Sequence, residues 1–158
     1  MKTLILVLGN TILSDDGVGI RVIEELQSRI SDPDITVSET NVSGLSLLDI
    51  IIGYDKVIIV DAIQTVGGKP GDIYQLTPDA LKVSRHAASP HDVNLVTALD
   101  LGKKLGLSMP QEIVIFAIEV LDVTTFSEDF TPEVKNTIPS CIEMVMQELK
   151  EKPNTLSC

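Results

Sequence analysis

The chain has 158 residues, 44% of them hydrophobic, which suits one ordinary domain with a single substantial core. Aromatic residues make up 3%, Trp is absent, and 23 acidic side chains against 12 basic ones set the formal net charge at −11. That balance excludes a nucleic-acid binder, since phosphate affinity rests on Lys and Arg, and it favours cationic partners such as a metal ion or a metal-bearing protein.

Met1-Lys2-Thr3 and the apolar residues behind it look like the front of a secretion signal, but Gly9-Asn10 and then Asp15-Asp16 follow instead of a small-residue cleavage site. Leu4-Ile5-Leu6-Val7-Leu8 therefore reads as a buried parallel strand that stops at Gly9. Val18, Val22, Ile23, Leu26 and Ile30 recur at helical spacing, with charged and polar residues between them, and predict an amphipathic crossover helix. Asp32-Pro33-Asp34 ends it, and residues 35–40 alternate like a shorter, more exposed strand. A small helix is expected over 45–54, then a strongly buried strand over 56–61 that ends in Asp61.

Gly67-Gly68-Lys69-Pro70-Gly71 is a turn cluster, followed by a strand over 72–76 at the sheet edge or to its side. Residues 77–88 read as loop. Ser89-Pro90-His91-Asp92 opens a helix that continues to Gly106, with Pro in its first turn. Residues 112–118 form another buried strand, ending at Glu119. Thr131-Pro132-Glu133-Val134 opens a helical turn interrupted at Pro139, and a terminal helix follows from about 138 to 151. There are no repeats, linkers or low-complexity tracts, so residues 1–152 are expected as a single domain with 153–158 as a loose tail. No stretch has the length and apolarity of a membrane span. Cys141 and Cys158 form no CxxC pattern, which points to a reducing cytoplasm rather than a disulfide framework.

Alternating β and α elements predict an α/β three-layer sandwich: a mostly parallel, twisted central sheet with helices on both faces. In such sheets ligands sit beyond the carboxyl ends of the strands, where the strand order reverses. If strands one and three are neighbours there, Asp15/Asp16 and Asp61 flank that crevice, and His91 lies on the same edge. Two carboxylates and an imidazole make a three-point metal site with open positions, and mixed O and N donors suit Ni(II) or Zn(II) better than Cu(I). Gly17 and Gly19 open the first crossover helix despite a propensity penalty of roughly 1 kcal/mol each, which fits close approach of a bound object to the backbone.

Each residue also has a plainer role open to it. Ser14, Asp15 and Asp16 are ordinary helix-capping and first-turn residues. Asp61 at a strand end caps a loop equally well, His91 makes local hydrogen bonds at a helix start, His86 beside Arg85 suits a loop surface, and Glu119 serves to solvate the end of its strand. HExxH, G-x-S-x-G, a Walker loop and G-x-G-x-x-G are all missing from the sequence.

The string Gly9-Asn10…Asp15-Asp16-Gly17-Val18-Gly19, with Val60-Asp61-Ala62 and Ser89-Pro90-His91-Asp92, resembles the hydrogenase maturation endopeptidases, which process the large subunit of nickel–iron hydrogenases. The likeness runs nearly the whole chain, through Ile118-Glu119-Val120 and Thr131-Pro132-Glu133-Val134. It implies that Asp16, Asp61 and His91 are the metal-binding and catalytic set; many members carry Glu where this chain has Asp16. It also implies an aspartyl-type endopeptidase that removes a carboxyl-terminal extension from a hydrogenase large-subunit precursor once nickel is installed. The Ni2+ would be supplied by the precursor, with Zn2+ or Cd2+ able to substitute in vitro, and neither nucleic acid nor membrane insertion is involved. Two rival readings remain. One is a receiver-type Mg2+-dependent phosphoacceptor module, which shares the acids but would place Lys where Glu119 stands. The other is a non-catalytic nickel-binding maturation chaperone.

Overall fold

Strand β1 (Thr3–Leu8) lies inside the sheet, with a strand on either side, and all six of its residues are buried. The computed structural model describes residues 1–8, 18–40, 46–63, 67–79, 90–119 and 136–151, with the backbone alone at 18–20, 62–63 and 90–95. Helix α1 (Val18–Arg29) crosses over to strand β2 (Ile35–Thr40), and the short helix α2 (Ser46–Ile51) leads to strand β3 (Lys56–Ile63). Strand β4 (Ile73–Leu76), helix α3 (Pro90–Lys104), strand β5 (Glu112–Glu119) and helix α4 (Ile138–Lys150) complete the described elements.

The five strands lie in the order β2-β1-β3-β5-β4. β1 pairs in parallel with β2 and β3, and β3 pairs in parallel with β5; β4 alone runs antiparallel, on the edge beside β5. Strand alternation sends successive side chains to opposite faces. Ile5, Val7, Ile58, Val60, Val114, Phe116 and Ile118 pack with α1 and α4, whereas Leu4, Leu6, Leu8, Val57, Ile59 and Ile115 pack with α2 and α3. Two apolar cores on one sheet confirm the three-layer α/β expectation. They also explain why the central strands are apolar on both faces.

Several element ends differ from expectation, each for a local reason. α2 stops at Ile51 because Gly53 turns the chain with φ +88. β3 runs two residues past Asp61, held by Ala62 and Ile63 pairing with Ile118 and Glu119. Pro139 does not interrupt anything described: it stands in the first turn of α4, where its missing N–H has no helical partner to lose. The loop 9–17, residues 80–89, the Thr131–Val134 turn and the tail 153–158 lie outside the described residues. Among the described residues no helix is long and apolar enough to cross a membrane.

The two ends of the sheet are built differently. At the amino edge, hydrogen bonds staple neighbouring strands: Asp55 N–H donates to Lys2 O at 2.8 Å, Lys2 N–H donates to the Asp55 side-chain Oδ2 at 2.8 Å, and Gln111 N–H reaches Asp55 O at 3.0 Å. Gly53 N–H donates to Ser108 O at 3.2 Å, which brings the chain leaving α3 to the same edge. A 15-residue helix is about 22 Å long, so the first turn of α3 lies toward the opposite, carboxyl edge.

Candidate active site

The chain leaves β1 toward β2 on one side and toward β3 on the other, so the reversal of strand order falls between β1 and β3. Val7 pairs with Val60, which puts the exit of β1 at Leu8 level with Asp61. Asp61 continues the Val57, Ile59 alternation and so belongs to the face covered by α2 and α3. His91 is the second residue of α3, on that same side and toward that same edge. Asp61 thus stands beside the reversal of strand order, and the backbone at position 91 lies toward the same edge. Asp15 and Asp16 lie outside the described residues, and among the described residues no three His, Cys, Asp or Glu side chains cluster as a metal site.

Asp61 is not at a loop edge, as the sequence suggests. It lies inside β3, pairs with Ala117 of β5 and is 1% exposed. Glu119 differs from expectation in the same way. Rather than solvating its strand end, it is 1% exposed, and its alternation with Ile113 and Ile115 assigns it to the α2/α3 face beside Asp61. A buried carboxylate is disfavoured unless its surroundings satisfy it, so two of them on one rim mark a polar region set into an apolar core.

The β5 end is clamped by the turn before β4, which is itself tied to the start of α4. Glu119 N–H donates to Asp72 O at 2.8 Å, and Gly71 N–H donates to Glu119 O at 2.9 Å. Gly71 holds φ +95, a left-handed conformation that favours glycine. Thr137, the residue before α4, donates its hydroxyl to Gly71 O at 2.8 Å instead of capping its own helix. The Gly67–Gly71 cluster carried the turn in the sequence, but nothing there tied it to Thr137. A groove of about 400 Å3, lined by Lys2, Pro33, Asp34, Thr36, Ile52, Gly53 and Tyr54, opens at the amino edge, the wrong end of the sheet for this class of site.

A family model for hydrogenase maturation proteases matches residues 20–148. The chain belongs to the hydrogenase maturation protease family. It is 30% identical to the hydrogenase expression/formation protein HupD of Bradyrhizobium diazoefficiens, over 99% of this chain and 82% of the relative. It is 27% identical to the hydrogenase 2 maturation protease of Escherichia coli K12, over 96% and 92% of the two chains. The solved structure of the hydrogenase maturating endopeptidase HybD from E. coli superposes with a TM-score of 0.83 at 26% identity, covering 94% of this chain and 92% of that one. Membership of a protease family removes the receiver-type reading, and Glu119 at the end of β5 is a carboxylate where that reading needed a Lys.

Proposed function

We propose that this protease removes the carboxyl-terminal extension of a nickel–iron hydrogenase large-subunit precursor after nickel has been inserted. The observation that carries the reading is the placement of Asp61, a buried carboxylate at the strand-order reversal, in a chain of the maturation protease family. Asp16, Asp61 and His91 hold the nickel of the incoming precursor, with Zn2+ or Cd2+ substituting for it in vitro. Oxygen and nitrogen donors suit these borderline divalent ions. The nickel is part of the substrate and serves as the mark by which a finished precursor is recognised. With the precursor seated, one of the carboxylates accepts a proton from the attacking water while the scissile peptide is held at the rim. The reaction takes place in the cytoplasm.

Incubating the purified protein with nickel-loaded and nickel-free precursor and measuring the precursor's mass tests this directly. Loss of the extension only from the nickel-loaded form is expected. An unchanged mass with stable binding would instead support a nickel-binding chaperone without catalysis.

A further inference from the structure

The end of α3 leaves two leucines in solvent. Leu107 N–H donates to Gly102 O at 3.1 Å, Gly106 N–H donates to Lys103 O at 3.2 Å, and Gly106 holds φ +69. That is the paired closure of a helix on a left-handed glycine, in which the residue after the glycine ordinarily packs back on the side chain whose carbonyl it bonds. Here that position is Gly102, and Met109 and Leu48 fill the space where a Cβ would stand. Leu107 has no seat on its own helix and is 37% exposed, while Leu105 is 62% exposed. With Met1 at 57% they are the exposed large hydrophobic side chains among the described residues, and all three lie at the amino edge. An apolar patch gathered at one edge marks an interaction surface. A recess adjoins this knob. Ser108, next to Leu107, accepts the Gly53 N–H, and Gly53 lines the groove of about 400 Å3 with Pro33, Asp34, Ile52 and Tyr54. The charges divide the same way. Lys103 and Lys104 stand exposed beside the knob, whereas Asp32 and Asp34 stand exposed at the groove, joined by the Asp34 N–H to Asp32 Oδ1 bond at 2.9 Å. Neither lysine nor Asp34 has an ionic partner among the described residues.

We propose that the amino edge is a self-association surface. Leu105 and Leu107 of one copy of this chain enter the groove of a second copy, and Lys103 and Lys104 face its Asp32 and Asp34. The same contacts repeat in reverse across a two-fold axis. A second copy fits because this one edge carries the knob, the recess and both signs of charge, which is what a self-complementary contact requires. The 15-residue α3, about 22 Å long, separates this edge from the rim at Asp61. Both carboxyl rims therefore point away from the contact and stay open.

Sedimentation velocity and native mass spectrometry of the full chain test this. A monomer–dimer equilibrium is expected at about 200 μM protein, in the weak range of a small contact. The double variant Leu105→Ser with Leu107→Ser removes the knob without touching a buried residue. It should weaken the dimer roughly tenfold or more and leave the circular dichroism spectrum unchanged. Charge reversal tests the pairing. Lys103→Glu with Lys104→Glu in one protein, and Asp34→Lys in another, each set like charges opposite one another in both halves of the contact, so each homodimer should weaken. Mixed in equal amounts, the two proteins bring opposite charges together at position 34 in both halves. Their heterodimer, resolved by mass, should be roughly tenfold tighter than either variant homodimer. A wild-type chain that stays monomeric at that concentration overturns the proposal. So does a dimer indifferent to the loss of both leucines, which would put the contact elsewhere, and so does a heterodimer no tighter than the variant homodimers.

Discussion

Asp61 is buried inside a paired strand, so any replacement there tests packing and chemistry together. Asp61→Asn keeps the shape and changes the charge. It is expected to lower precursor processing by about a hundredfold or more, the usual scale for losing an acid–base or metal-holding group, while the melting temperature moves little. Asp61→Ala removes the same chemistry and also leaves a void under α3, so its melting temperature should fall as well; a processing assay beside thermal melts separates the two effects. Cys141 is a second kind of buried titratable residue, a free thiol. It is fully buried in α4 against the sheet, and burial pushes its thiol up to about 12 from an ordinary 9.0. A thiol that ionises more readily unfolded than folded leaves stability untouched below about pH 9 and erodes it as pH rises toward 12. Native protein treated with iodoacetamide at pH 8 should therefore yield an unmodified Cys141 peptide by mass mapping, and denatured protein a modified one. At this scale the sequence exposed Asp61 well, as an acid closing an apolar run. It hid the depth of Asp61 and Glu119, because burial at a strand end depends on neighbouring strands continuing past it.

The elements are joined to one another by a few polar ties, and the strongest lies at the amino end of β3. Lys56 is 2% exposed and reaches α4, where its Nζ donates to Glu148 Oε1 at 2.8 Å and to Glu148 O at 3.1 Å. Glu112 Oε1 stands 3.5 Å away on β5. A buried pair adds little net stability, but breaking one side strands a charge. Glu148→Leu should accordingly destabilise by about 3 kcal/mol, and adding Lys56→Met should restore most of that, as urea melts of the single and double variants would show. Gly71 is the matching tie at the carboxyl edge. Gly71→Ala forces a side chain into a left-handed backbone and should lower stability by about 1–2 kcal/mol in the same melts. The elements themselves were legible, since apolar runs and 3.6-residue periodicity specify β1, α1, β3, β5 and α4 with little ambiguity. The ties were not. Lys56 and Glu148 are 92 residues apart, and nothing local in either neighbourhood announces the other.

The whole molecule separates support from function along the sheet axis. Staples close the amino edge, whereas the carboxyl edge gathers Asp61, Glu119 and the first turn of α3 around the reversal of strand order. The β-α alternation pointed to a parallel sheet with such a reversal, and right-handed crossovers left few strand orders. That β1 and β3 are the neighbours there was a condition of the sequence reading, which the pairing meets. The edge strand β4 was expected over 72–76, but its antiparallel direction was not legible, since four residues of mixed polarity carry no direction. Selection of substrate belongs to this scale too. A formal charge of −11 repels acidic chains and draws in cationic surfaces, so association with the precursor should slow as salt rises and screens the attraction. The sequence contains no serine, cysteine or zinc-protease motif that would let it attack an arbitrary extended peptide. Cleavage should then require a folded, nickel-bearing precursor, and a synthetic peptide spanning the cleavage site, or casein, should stay intact by mass spectrometry. His91→Ala should abolish processing of the precursor without unfolding the domain, because position 91 is the second residue of α3, outside the paired strands. Rapid hydrolysis of the metal-free peptide that survives His91→Ala would place catalysis elsewhere on the molecule.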